Sequence, residues 1–126
     1  MKTLSEALKM NHTLTKLNLR LKGIGDKGTQ VLSESLKVNK TLINLNLCFN
    51  EIGDKGMKIL SKALKVNQKL TELDLSANRI GDEGMKSLSV LVLVFEWTGR
   101  PICPDCVQLI YVLEDAVVDC FVVHFC

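Results

Sequence analysis

The residues with the clearest chemical potential lie near the C-terminus. Cys103-Pro104-Asp105-Cys106 is a C-x-x-C pair, a spacing that serves either thiol–disulfide exchange or metal ligation. With Cys120 and His124 it becomes Cys-x2-Cys-x13-Cys-x3-His, close to zinc-finger spacing, and Cys126 adds another thiolate. Against a redox pair, no βαβ pattern surrounds it. Against a zinc knuckle, Val107 to Val118 is mostly aliphatic and lacks turn residues. Earlier in the chain, Gly23-Ile24-Gly25-Asp26-Lys27-Gly28 satisfies the G-x-G-x-x-G of a dinucleotide fingerprint. Asp26 would repel a pyrophosphate, and the neighbouring sequence gives these glycines another purpose. The two histidines, His12 and His124, have no Ser or Cys nucleophile in a workable arrangement, so the chain is expected to be no enzyme.

The elements that carry these residues are periodic. Leu14, Leu42 and Leu70 recur every 28 residues, as do Leu17, Leu45 and Leu73, and Ile24, Ile52 and Ile80; residues 11–38 and 39–66 are identical at 16 of 28 positions. A period of this length signals a repeat architecture. Within a unit, Leu17 and Leu19 alternate with polar residues as in a short half-buried strand. Leu32 and Leu36 then recur at helical spacing. Gly25-Asp26, Gly53-Asp54 and Gly81-Asp82 give a turn followed by an Asp suited to cap the helix it precedes. Asn39 and Asn67 follow Lys-Val, where a residue tolerant of left-handed backbone can end a helix. Each unit is thus one strand and one helix. In the G-x-G-x-x-G match, Glu51 and Arg79 replace the first glycine while the last two persist, so the motif belongs to the repeat.

One strand–helix pair cannot bury its own apolar face, but stacked copies share a continuous core. Strands about 4.8 Å apart beside helices 8–10 Å apart force the stack to curve, strands inside. The expected fold is an α/β solenoid, a short arc with parallel strands on the concave face and helices on the convex one. Residues 1–89 form this array, with a partial unit at 1–10 and repeats starting near 11, 39 and 67.

Leu42-x-x-Leu45-x-Leu47-x-x-Asn50-x-Ile52-Gly53-Asp54-x-Gly56 and its copy from Leu70 to Gly84 resemble leucine-rich repeats of the ribonuclease-inhibitor type. Similar units occur in cytosolic ribonuclease inhibitors, Ran GTPase-activating proteins and nucleotide-binding leucine-rich-repeat immune receptors. The resemblance implies an asparagine ladder at Asn50 and Asn78, whose side chains serve backbone groups of the turns; Lys22 stands where a first-repeat Asn is expected, so that repeat should be the looser one. It also implies a partner-binding concave face made of Lys16, Asn18 and Arg20, then Asn44, Asn46, Cys48 and Phe49, then Glu72, Asp74 and Ser76. Charge on this face runs from basic to acidic, which could orient a partner of complementary polarity. Phe49 is its one aromatic residue, the best candidate for a contact anchor.

Residues 90–126 depart from the pattern. Lys62 and Lys65 correspond to Val90 and Leu93, and Pro101 stands where a further strand should begin. Two readings stay open: the chain is a fragment of a longer, receptor-like or regulatory repeat protein with a tail of other origin, or the tail is an adapted cap or a disordered segment. Val107–Leu113 and Ala116–Phe125 could each form a strand or a helix. Uncapped ends or an unpacked tail would favour self-association.

Bulk properties agree with a binding module. The 126 residues carry a net charge of +2 and are 47% hydrophobic, which excludes a disordered chain, and a pI near 8.3 with no basic block argues against nucleic acid. No secretory signal or membrane-spanning stretch is present, and an odd cysteine count does not suit a disulfide framework, so the expected location is cytoplasmic. Two sequons, at Asn11 and Asn39, would then stay unmodified. The expected function is non-enzymatic binding of a protein partner on the concave face, with no cofactor and no membrane; the alternative is a zinc-binding or thiol redox element in the tail. Aromatic residues are only 5% of the chain, and all but Phe49 fall after residue 94.

Overall fold

The computed structural model describes the backbone of residues 1–97 and 122–124, and the side chains of residues 1–89. Among the described residues, four helices alternate with four short strands: α1 (Lys2–Met10), β1 (Lys16–Asn18), α2 (Gly25–Val38), β2 (Asn44–Asn46), α3 (Asp54–Val66), β3 (Glu72–Asp74), α4 (Asp82–Trp97) and β4 (Val122–His124). The sheet order is β1-β2-β3-β4. The first three strands are parallel, pairing Lys16 with Asn44 and Asn44 with Glu72, so each residue lies beside its counterpart 28 positions on. Consecutive helices pack on one another in a second layer.

The core lies between the layers and is aliphatic. Leu42, Leu45 and Leu47 from the strand side meet Leu32, Leu36, Leu60 and Leu64 from the helices, together with Ile52 and Met57, all buried. In the first repeat Leu14 and Leu17 are only partly buried; among the described residues β1 has a strand neighbour, β2, on one side only.

Two features differ from the sequence-based boundaries. Helix α4 runs to Trp97, crossing the point near residue 89 where the repeat pattern stops. Strand β4, within the ambiguous Ala116–Phe125 segment, pairs antiparallel with β3 and sets His124 opposite Glu72 and Val122 opposite Asp74. β4 thus runs opposite to the three repeat strands. Val107–Leu113 lies outside the described residues.

Candidate protein-interaction surface

The strands are only three residues long, so the side chains expected on one face divide between strand and turn. Lys16, Asn44 and Glu72 form one row across the sheet, and Asn18, Asn46 and Asp74 the next. Arg20, Cys48, Phe49 and Ser76 lie beyond the strands in the turns that follow. Cys48 and Ser76 are buried and offer a partner little surface, which corrects their assignment to an open strand face.

Much of the strand polarity is used internally. The Asn18 side-chain oxygen accepts from the Arg20 N–H at 3.0 Å, that of Asn46 accepts from the Cys48 N–H at 2.9 Å, and the Asp74 carboxylate accepts from the Ser76 N–H and hydroxyl. Each thereby fixes the bend that follows its strand. Between strands, Asn44 donates to Glu72 and Asn46 to Asp74. Of the expected face, Lys16, Asn18, Arg20 and Phe49 are exposed, and Asn44, Asn46, Glu72 and Asp74 are half-buried. Phe49 is 45% exposed and has φ 55°, in the left-handed region that non-glycine residues seldom adopt. Leu21 and Ala77, at the equivalent positions, share it. Hydrogen bonds from Leu21 N–H to Cys48 C=O and from Phe49 N–H to Ser76 C=O hold this backbone. The Arg20 guanidinium stands 5.2 Å from the Phe49 ring centre, within cation–π range. Sequence reasoning selected Phe49 as an isolated aromatic but missed its pairing with Arg20, which depends on the offset between turns of neighbouring repeats.

What fixes that offset is a set of side chains reaching from one repeat to the next. Asn50, fully buried, donates to Leu19 C=O at 2.8 Å and Cys48 C=O at 3.2 Å, and accepts from Lys22 N–H at 3.0 Å and Ile24 N–H at 3.3 Å. Asn78 repeats the arrangement one unit on, with Leu47, Ser76, Asn50 and Ile52, and also donates to Leu75 C=O. Each asparagine therefore serves the turn before its own. The first turn is served by Asn50, so its backbone groups are bonded without an asparagine at position 22. Asn39 and Asn67 form a second ladder at the helix ends. Their φ values of −68° and −69° are extended backbone, not the expected left-handed conformation. Asn67 accepts from Lys69 and Leu70 N–H and donates to Leu36 and Asn39 C=O; Asn39 does the same toward Leu8 and Asn11.

The aspartates likewise reach across. Asp26 accepts from Gly53 N–H at 2.8 Å and Gly56 N–H at 2.9 Å, and Asp54 from Gly81 and Gly84 N–H at 2.7 and 3.0 Å. These are the orphan donors at the start of the following helix, so each Asp caps the helix of the next repeat rather than its own. A Cβ on Gly56 would lie 2.5 Å from the Asp26 carboxylate and 3.2 Å from its Cα. In the apparent dinucleotide motif itself the last glycine, Gly28, packs against Ile24 and Met1, and the Gly25 and Gly28 N–H groups already donate to Asn50 C=O and Ile24 C=O.

Three modules of the leucine-rich repeat family match the chain, at residues 11–33, 38–61 and 66–89. The chain belongs to the leucine-rich repeat family. No curated protein matches it. Among solved structures it is similar to "Leiomodin-1 Actin-Binding Site 2 (ABS2)", with 28% sequence identity and a TM-score of 0.65 over 72% of this chain. The chain spans 54%, about half, of the length of that structure.

Of the zinc or thiol candidates, Cys103, Cys106 and Cys120 lie outside the described residues, and His124 is placed by its backbone in β4. Among the described residues no group of His, Cys, Asp and Glu is arranged to hold a metal ion. No described helix is long and apolar enough to cross a membrane.

Proposed function

We propose that this leucine-rich-repeat protein is a non-enzymatic interaction module of the ribonuclease-inhibitor-like type, which binds a protein partner in the cytoplasm through its strand face and adjoining turns. The 28-residue spacing of the inter-repeat bonds supports the type. The observation that carries the binding site is the exposed Phe49 ring under the Arg20 guanidinium, on a turn whose left-handed backbone is held by the next repeat. Aromatic and arginine side chains dominate the energetics of protein interfaces, and a fixed backbone lowers the entropy lost on binding. Lys16 extends the site across β1. Capture from cell extract with the unaltered chain and with a chain carrying Phe49→Ala and Arg20→Ala tests the site. A partner retained by the first and lost about tenfold by the second supports it; equal retention refutes it.

A second reading is suggested by the similar structure, which is named for an actin-binding site. If this array shares that activity, the chain will co-sediment with actin filaments. Absence of co-sedimentation removes actin while leaving the strand-face site to be tested by the double substitution.

A further inference from the structure

We infer that the outer face of α3 is a second interaction surface, a cationic rail that takes an acidic polypeptide segment. The exposed positions of α3 are Lys55, Lys58, Lys62 and Lys65, followed by Val66 at its last residue. Spacings of three and four residues put all four on one side of the helix, along roughly 15 Å at 1.5 Å per residue. Among the described residues, none of the four has an ion-pair partner. The acids that could have neutralised them are committed elsewhere: Asp26 and Asp54 cap helices, Glu34 pairs with Lys37, Glu51 with Arg79, and Glu83 with Lys86.

The comparison with α2 makes the rail informative. The equivalents of Lys55, Lys58, Lys62 and Lys65 there are Lys27, Gln30, Glu34 and Lys37, a mixed set with its own ion pair. The fold therefore accepts an acid and a neutral residue at these positions. Like charges at such spacings destabilise a helix, and α3 carries them with no compensating ion pair among the described residues. Beside the rail, Lys55 and Lys58 line a depression of about 350 Å³ between α3 and α4, together with Asp54, Glu83, Lys86 and Ser87. An incoming carboxylate seated there meets Lys58 directly and can compete with Glu83 for Lys86. The occupant is assigned as a polypeptide rather than a lipid surface because the exposed positions of α3 are lysines apart from Val66 at its end. One valine is far less than the apolar face, with large aliphatic or aromatic residues, by which membrane-bound helices enter a bilayer.

The test uses the full chain and a fluorescent poly-glutamate peptide long enough to span the rail, followed by anisotropy at rising salt. Binding that weakens steeply with salt and falls about tenfold in the K58E/K62E variant, but not in K27E, supports the rail. The milder K58Q/K62Q variant keeps the result readable if charge reversal harms folding, and should show a smaller loss in the same direction. Equal binding by all variants overturns the proposal. So does binding to phosphatidylserine vesicles that is tighter than to the peptide and depends on the same lysines, since the occupant would then be a membrane.

Discussion

Asn50→Ala removes one side chain that bonds four backbone groups; the Cys48 C=O keeps the Leu21 N–H, and the other three lose this partner. Two belong to Leu19 and Ile24, which are buried. Lys22 is exposed, so water can replace the lost bond to its N–H. An orphaned buried polar group costs about 1–3 kcal/mol, so the two buried groups together put the loss at about 2–6 kcal/mol. That is a large share of the roughly 5–15 kcal/mol that holds a typical domain. Urea unfolding followed by far-ultraviolet circular dichroism measures it, and at about 2 kcal/mol per molar the midpoint should drop by about 1–3 M. Lys22→Asn is the matched control. Sequence pattern alone would have it repair a missing rung, whereas in the structure the first turn already has Asn50, so stability should change by no more than about 0.5 kcal/mol. A loss below about 1 kcal/mol in Asn50→Ala, or a substantial gain in Lys22→Asn, would refute the backward-reaching ladder.

Three further substitutions probe other contacts between repeats. Asp54→Ala should cost about 1–2 kcal/mol, and amide exchange should accelerate at Gly81 and Gly84, at the start of α4, rather than at the start of α3. Gly56→Ala should destabilise by about 1–3 kcal/mol through overpacking against Asp26 and Ile52, despite the better helix propensity of alanine; thermal unfolding gives the sign. Leu45→Ala, at a fully buried site in the middle strand, should cost about 2–5 kcal/mol in the same urea assay.

How far the sequence reveals this structure depends on whether a feature lies within a repeat or between repeats. Leu17, Leu45 and Leu73 carry strand alternation, and Leu32 and Leu36 carry helical spacing, so unit content and the layered solenoid follow from local pattern. Asp26 shows the boundary of that reasoning. Its type and position announce a cap, but a residue conserved in phase is equally suited to its own helix and the next, and only stacking geometry decides which. Asn39 is similar: a helix-ending asparagine reads locally as a left-handed residue, whereas its amide is used for the neighbouring repeat. Phe49 was visible as an exposed aromatic among polar residues, but Arg20 is 29 positions away and joins it only through the stack. Helix α4 passes residue 89 because helix formation needs no leucine-repeat pattern, and the antiparallel docking of β4 on β3 is a long-range pairing that no periodicity encodes.

The claim that the Phe49 turn meets a protein partner is tested most directly by placing a photo-crosslinking phenylalanine analogue at position 49 and, separately, at exposed His12 in the α1–β1 loop. Irradiation in cell extract should yield a discrete protein adduct from position 49 and none from position 12. No adduct at 49, or the same adducts from both positions, would contradict it.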